Sequence, residues 1–201
     1  IKFEVGEFNQ LETYDKLNVK LVQSDSQYIE VTGDKAENVE FVNKNKILKV
    51  RMNTKEFLKG EGTRVTVYYK DLKAIFANEG SFVTSDETLD TGKLLLNAKE
   101  GSFIALDLEV QDLEIKTNTG ASIETSGNAE IQTVVSNSGG QYNGENLVTT
   151  KTEVTVNAGG EAKIHALDFV EAKTRAGGNI HVYGGAEVSQ KTIVGGSVHI
   201  H

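Results

Sequence analysis

The chain contains no cysteine and no proline among its 201 residues. Without cysteine it can form neither a disulfide framework nor a thiolate metal site, so cysteine usage does not indicate a compartment. At average usage about ten prolines would be expected, so the loops must be shaped by glycine, asparagine, aspartate and threonine. No apolar run is long enough to cross a membrane as a helix. The length suits one domain, or one domain with a cap, with enough residues for a sizeable core.

Positive charge is also scarce, because 21 lysines and arginines stand against 29 aspartates and glutamates, a net charge of −8. No basic stripe offsets this balance, so nucleic acid is not expected as a partner and anionic membranes are disfavoured. The sequence begins at Ile1 without a methionine. This start predicts a processed leader or a trimmed chain, and we expect an exported protein, periplasmic or at the cell surface, whose signal peptide has been removed.

Glycine, in contrast, is abundant and regularly spaced. It recurs every 18 to 21 residues over the last two thirds of the sequence, and the residue after it is always small. A period of about 20 residues with a glycine-centred tight turn is typical of solenoids, in which each repeat buries its apolar face only against the next. The seven glycines are Gly80, Gly101, Gly120, Gly139, Gly159, Gly177 and Gly195.

Apolar residues flank these glycines with a period of two, which predicts strands with one buried face. Because crossovers between parallel strands are right-handed in nearly all cases, the predicted fold is all-β, a right-handed parallel β-helix. Residues 72–201 form its seven-rung solenoid, roughly 34 Å long at about 4.8 Å per rung. Five positions before the glycines stand Ile75, Leu96, Ile115, Val134, Val154, Ala172 and Gln190, and three positions after them stand Val83, Ile104, Ile123, Tyr142, Ala162, Ile180 and Val198.

Glycine is expected in these turns for two reasons. A turn this tight needs a positive φ or a close backbone approach, and a Cβ repeated in every rung would clash with its neighbours. We therefore expect the substitution Gly159→Val to break a rung.

Residues 1–71 lack the glycine ladder but contain six candidate strands separated by turn residues. We expect them to form irregular capping rungs continuous with the solenoid, because an open solenoid end would recruit other chains. One helical turn is predicted to begin at Asp34, with Glu37 at the capping-box position.

A series of stretches runs through the chain, namely Phe8, Leu11, Leu17–Leu21, Ile29–Asp34, Leu48–Val50, Val65–Tyr69 and Leu72–Ile75, followed by the Gly-Gly and Gly-Ser turns, most specifically 177–180 and 195–198. Together these stretches resemble the auto-transporter adhesin head GIN domain family of Bacteroidetes. The resemblance covers essentially the whole chain and implies a solenoid without conserved catalytic residues, an exported or cell-surface location, and a role in adhesion. The chain departs from the family pattern at Lys70-Asp71, where a proline is usual, and in its early single-glycine turns.

The histidines near the end of the chain form one candidate metal site. Counted from the turn glycines, His181, His199 and His201 fall on one exposed patch, with neighbours about 5 to 7 Å apart. Imidazole is a common zinc or copper ligand. The alternative is that these are solvated side chains on the last two rungs, and we expect no cofactor.

Asparagine and phenylalanine provide a second candidate site. Asn118 and Asn137 belong to a column two residues before the turn glycine, completed by Asn78 and Asn157, which predicts a stabilising amide ladder or a polar strip for sugar hydroxyls. Phe82 and Phe103 share an outward position on adjacent rungs, where they could stack on a pyranose ring or bury a partner's apolar surface.

No catalytic constellation is present, since the carboxylates form no columns and no triad order or phosphate-cradling loop occurs. We expect a protein that is not an enzyme. The favoured hypothesis is an exported, non-catalytic solenoid for adhesion or envelope interactions, with an unknown protein or glycan as its partner. The alternative is a carbohydrate-binding or carbohydrate-cleaving β-helix, and a third hypothesis is a homo-oligomer formed through solenoid edges such as 192–201.

Overall fold

The structure, a computed structural model, describes residues 1–201 and consists of strands with a single 3₁₀ turn. The strands are β1 (Lys2–Glu4), β2 (Gln10–Thr13), β3 (Asn18–Gln23), β4 (Tyr28–Thr32), β5 (Val39–Lys44), β6 (Ile47–Met52), β7 (Arg64–Tyr69), β8 (Ala74–Ala77), β9 (Phe82–Ser85), β10 (Leu89–Ala98), β11 (Phe103–Thr117), β12 (Ser122–Ser136), β13 (Gln141–Asn157), β14 (Glu161–Arg175), β15 (Gly178–Tyr183), β16 (Glu187–Ile193) and β17 (Gly196–Ile200). All hydrogen-bond into one continuous parallel stack with an antiparallel cap.

The predicted β-solenoid is confirmed by the strand register. Strands β11 to β14 each run from one tight turn to the next and pair in parallel with the rungs on both sides. We call the segments after each turn the post-turn sheet and those before it the pre-turn sheet. The two sheets enclose one core of 44 buried apolar residues, in which a fully buried leucine or isoleucine contributes about 1.5–3 kcal/mol.

The core contains the inward columns that the spacing predicted. Leu96, Ile115, Val134 and Val154 are Cα partners in successive rungs and none exposes any surface. The column ends at Gln190, whose side chain is exposed. The core is therefore continuous through β14 and thins in the last rung.

Two consecutive residues with positive φ form each tight turn. In the third of them Thr119 has φ 50° and Gly120 has φ 68°, and the carbonyl of Asn118 accepts a hydrogen bond from the amide of Ala121 at 3.1 Å. This is the geometry of a type I′ turn. The sequence predicted positive φ at the glycine but not at the residue before it, which is a glutamate, serine, alanine or valine in the other copies.

The predicted clash at Gly159 is wrong. A Cβ built on Gly159 would meet nothing within 4 Å, so glycine is required there only by its φ of +74°. The close approach occurs one residue later, because a Cβ on Gly160 would lie 2.8 Å from the Oγ atom of Ser136 in the rung below. The two glycines of a pair therefore satisfy different requirements, the first of conformation and the second of space.

The N-terminal rungs do not stack in chain order. Strands β2 and β3 lie between the rung of β6 and β7 and the rung of β8 and β9, so the first rung of the sequence is an inner rung of the stack. Its turn is formed by Asp15 and Lys16, both with φ near 60°, without any glycine. The Asp15 carboxylate accepts hydrogen bonds from the amides of Met52 and Leu58, each at 3.0 Å, and these bonds hold the strained turn.

Antiparallel strands cover the N-terminal end of the stack. Strand β4 pairs with β7 and β1 pairs with β4, while β5 pairs with β6 in a hairpin. A helical turn occurs as predicted, but it spans Ala36–Asn38, follows Lys35 and has no side-chain cap, so the predicted capping by Asp34 is wrong. The division of the chain at residues 71 and 72 stays a prediction.

The opposite end of the stack has free strand edges. Strand β16 pairs only with β14, and β17 pairs only with β15. Ile193, Val194 and Ile200 are exposed there, Val194 by 82%. None of the chain's segments is a helix of the length and hydrophobicity that a membrane span requires.

Candidate binding face

The outer face of the post-turn sheet presents polar and aromatic side chains in columns that run along the stack. Because alternate residues of a strand point to opposite faces, every second residue after a turn lies on this face, which we call the post-turn face. One column contains Asn18, Phe82, Phe103, Ser122 and Gln141, which are Cα partners in successive rungs. The strands of this face from β3 to β15 are paired on both sides, whereas β17 has one free edge.

Phe82 and Phe103 form an aromatic pair on this face. Their ring centroids lie 5.9 Å apart with an interplanar angle of 47°. Phe82 is 48% exposed and Phe103 is half-buried. The outward position expected from the sequence is therefore the observed one, with Phe82 forming the accessible part of the pair.

A polar depression begins beside the aromatic pair. A cavity of about 350 Å³ lies over Ala105, Asp107, Glu124 and Asn146, and a second of about 140 Å³ continues it toward Lys163. Both cavities share Glu124 and Asn143, and Phe103 adjoins them through its Cα partner Ser122, which lines the second. Phe103 thus lies next to a groove that carries carboxylate and amide side chains, and Phe82 lies one rung further from it.

Some of the groove's polar groups are already bonded and others are free. The Asp107 carboxylate accepts hydrogen bonds from the hydroxyls of Ser126, at 2.9 Å, and Thr88. The side chains of Glu124, Gln141 and Asn146 make no hydrogen bond within the protein, although each lies at the groove or beside it. A ligand with several hydroxyl groups could bond to these free acceptors and donors without breaking a contact.

A buried polar network supports the floor of the groove. The Tyr142 hydroxyl bonds with the hydroxyl of Thr125 at 2.6 Å and accepts from the amide of Gln132. Gln132 in turn accepts from the hydroxyl of Thr152 at 3.2 Å. Complete burial raises the pKa of Tyr142, because a phenolate would be desolvated. The sequence predicted Tyr142 as an inward residue but gave no sign of its hydrogen-bond partners.

The three histidines predicted as metal ligands do lie together, at the end of the post-turn face. The ring of His181 stacks on that of His199, with centroids 4.8 Å apart, and on that of His201, 5.4 Å apart. Tyr183 stacks on His201 at 4.5 Å. Stacked rings place their nitrogen atoms in nearly parallel planes, and no group of three His, Cys, Asp or Glu side chains in the chain has the geometry to hold a metal ion. The arrangement is that of an aromatic stack.

Burial and the neighbouring imidazole of His199 lower the pKa of His181. His201 and Lys163 lower the pKa further, while Glu161, whose carboxylate lies 3.9 Å from the Nε2 atom, opposes them. The fold therefore favours the neutral form of His181. Its Nδ1 atom lies 3.1 Å from the Nε2 atom of His201, which is within hydrogen-bond distance.

The asparagine column is only partly a ladder. Asn157 donates to the side-chain oxygen of Asn137 at 2.7 Å, but Asn118 accepts from the amide of Thr119 in its own turn and Asn78 donates to a backbone carbonyl. These residues face outward from the pre-turn sheet, on the other side of the turns from the phenylalanines. The structure therefore does not bring Asn118 and Asn137 together with Phe82 and Phe103.

A further cavity, of about 390 Å³, was not predicted from the sequence. It lies at the capped end, between the pre-turn sheet and the hairpin of β5 and β6, and we call it the end cavity. Tyr14, Asp15, Phe57 and Glu79 are among its lining residues and come from three separate parts of the sequence. The wide separation of these residues left no pattern by which the sequence could reveal the cavity.

Comparison with known proteins agrees with the architecture. A "putative adhesin" of Bacteroides fragilis is 19% identical, with a TM-score of 0.89 over 100% of this chain and 94% of the other. A "putative adhesin" of Parabacteroides distasonis is 24% identical, with a TM-score of 0.81 over 100% and 95%. A "Putative lipid binding protein" of the same species is 16% identical, with a TM-score of 0.76 over 100% and 95%. At these identities the likeness shows the fold alone.

None of the curated proteins matches the sequence. The family described as "Putative auto-transporter adhesin, head GIN domain" matches residues 7–186, nearly the whole chain, and confirms the resemblance seen in the sequence. The chain belongs to this adhesin head GIN domain family.

Proposed function

We propose that this protein is an exported, non-catalytic adhesion protein that binds a partner at a cell surface through its post-turn face. The observation that carries the proposal is the position of the exposed Phe82–Phe103 pair beside a groove with unbonded polar side chains. The adhesin description of the family supports both the adhesive role and the exported location.

The same face favours a carbohydrate as the partner. A pyranose ring has an apolar face that can stack on an aromatic side chain, and hydroxyl groups that bond to carboxylates and amides. Phe82 supplies the exposed ring, and Glu124, Gln141 and Asn146 supply polar groups two or three rungs away. Binding without cleavage is the version we favour, since hydroxyl groups hold Asp107 in place and the family is described by adhesion.

The test is a glycan and matrix-protein array probed with the purified protein. The double variant Phe82→Ala/Phe103→Ala should lose at least about tenfold in affinity, because each aromatic contact with the ligand contributes about 1 kcal/mol. Phe57→Ala is the matched control, since Phe57 is 55% exposed but lies outside the post-turn face. Equal binding by the double variant and the wild type would contradict the proposal.

Release of reducing ends from the bound glycans separates binding from cleavage. We expect no release above a protein-free blank. Release that is lost in a Glu124→Gln variant would instead identify a glycan-cleaving enzyme. An array on which matrix proteins bind and glycans do not would retain the adhesion proposal and reject the carbohydrate.

Self-association through the free edges of β16 and β17 is a separate hypothesis. Exposed apolar residues on an unpaired edge favour pairing with another chain. Sedimentation at several concentrations should show a dimer that Val194→Lys dissociates, and a monomer at all concentrations would count against it.

A further inference from the structure

The end cavity contains acids that no cation of the protein neutralises. The Asp15 carboxylate is buried, accepts hydrogen bonds from the two backbone amides described above, and lies beside Glu79. Glu79 occupies the equivalent turn position in the next rung of the stack and makes no ion pair. Burial, Asp15 and Glu100 all raise the pKa of Glu79, as expected for a carboxylate without a cationic partner.

The basic residues of the same cavity already form ion pairs with acidic residues of the chain. The ammonium group of Lys49 lies 2.9 Å from the carboxylate of Glu12, and Arg51 pairs with Glu40 at 3.7 Å. Each positive charge on the wall is thus offset by an acid beside it. The charge left over in the cavity is that of Asp15 and Glu79, and it is negative.

Aromatic and apolar side chains form the rest of the wall. Tyr14 and Phe57 line the cavity, with the Tyr14 hydroxyl donating to Glu12 at 2.9 Å and the Phe57 ring 55% exposed. Aromatic faces attract organic cations, and a volume near 390 Å³ falls in the usual range for small-ligand sites. The net charge of −8 favours the approach of a positively charged ligand.

We propose that the end cavity is a binding site for an alkylammonium group, with Glu79 pairing with the cation and Phe57 and Tyr14 covering its alkyl chain. The group could be carried by a lysine side chain of a partner protein or by a free amine. The site is independent of the post-turn face, so either proposal can fail without the other.

The chain provides its own reporter for a test. Met52 is the single methionine of the sequence and lines the cavity, so a protein labelled at the methionine methyl group gives one NMR signal from this site. The probes are n-butylammonium, butyrate and n-butanol, which share a chain length and differ in charge. We expect a saturable shift with n-butylammonium at a dissociation constant of about 1 mM or tighter, and binding at least tenfold weaker for the other two.

Two variants at equivalent positions distinguish the site from general electrostatics. Glu79→Gln should weaken n-butylammonium binding about tenfold or more, because a charge-assisted hydrogen bond is lost. Glu100→Gln removes the same charge from the same turn position one rung further on, outside the cavity wall, and should change affinity less than about twofold. Phe57→Ala should weaken binding about two- to fivefold.

Several outcomes would overturn the proposal. These are no saturable shift with n-butylammonium, tighter binding of butyrate than of n-butylammonium, or equal losses in the Glu79 and Glu100 variants. If the site is confirmed, a lysine-containing peptide that binds more tightly than n-butylammonium identifies a protein side chain as the ligand. A peptide that binds more weakly identifies a free amine.

Discussion

Gly140 is the position where the packing of one rung on the next can be tested most directly. A Cβ on Gly140 would lie 2.7 Å from the Oγ1 atom of Thr117 and 2.8 Å from its backbone carbon and oxygen. Gly139, directly before it, has φ +72° and open space around it. The substitution Gly140→Ala therefore probes space alone, and Gly139→Ala probes backbone conformation alone.

The expected magnitudes differ accordingly. Overpacking costs about 1–3 kcal/mol, and contact with backbone atoms that cannot rotate away places Gly140→Ala at about 2 kcal/mol or more. An alanine with left-handed φ costs about 1–2 kcal/mol, offset by about 0.4–1 kcal/mol because glycine loses more entropy on folding. Gly139→Ala should thus cost about 0.5–1 kcal/mol, and Gly140→Ala should lower Tm by roughly 4–8 °C.

The neighbouring rungs indicate how the clash can be relieved. The residue after the first glycine is Ser102 or Ala121 where the rung below presents an alanine, and glycine where the rung below presents Thr117, Ser136, Val156 or Thr174. The exception is Ser81, whose hydroxyl hydrogen-bonds with that of Thr13 in the rung below. The double variant Thr117→Ala/Gly140→Ala recreates the pair formed by Ala98 and Ala121 one rung earlier. Its loss of stability should be about 1 kcal/mol smaller than the sum of the losses of the two single variants.

The assay is chemical denaturation followed by two spectroscopic probes, whose coincidence shows that unfolding is two-state. Gly139→Ala is the control for replacing any glycine of the turn. If Gly140→Ala lies within about 0.5 kcal/mol of the wild type, or if the two changes are additive, the spatial argument is refuted.

Three further predictions concern polar groups. Tyr142→Phe should destabilise the protein by about 1–3 kcal/mol in denaturant titration, because the buried amide of Gln132 loses its acceptor; an unchanged midpoint would show that the bond contributes nothing. Folding raises the pKa of Glu79, so the contribution of this side chain to stability is present in acid and is lost as pH rises through the raised pKa. Glu79→Gln should therefore raise Tm at pH 7 and leave Tm unchanged near pH 3. The pKa of His181 is lowered, so the protein should lose stability as pH falls below the ordinary histidine pKa of about 6.5. This loss should appear as faster amide exchange in β17 at low pH, and the pH dependence should be absent in the His181→Gln variant.

Much of the repetitive part of the fold could be predicted because its signals are local. Period-two alternation identifies inward residues such as Ile104 and Ile123 within a few residues, and the recurring glycine aligns one rung with the next. The same count placed Phe82 and Phe103 on one outward face. It also placed the histidines together, although the stacking of their rings depends on side-chain orientation and was not visible in a spacing.

The sequence by itself determined the solenoid, its rung length and the composition of its outer columns, since these follow from patterns that repeat within about 20 residues. Only the tertiary structure decided what occurs once: the insertion of β2 and β3 between later rungs, the glycine-free turn at Asp15, and the meeting of Tyr14, Phe57 and Glu79 around the end cavity. The physical reason is that a repeated contact is selected at every rung and leaves a periodic trace. A cap is stabilised by long-range pairings between segments that have no shared pattern.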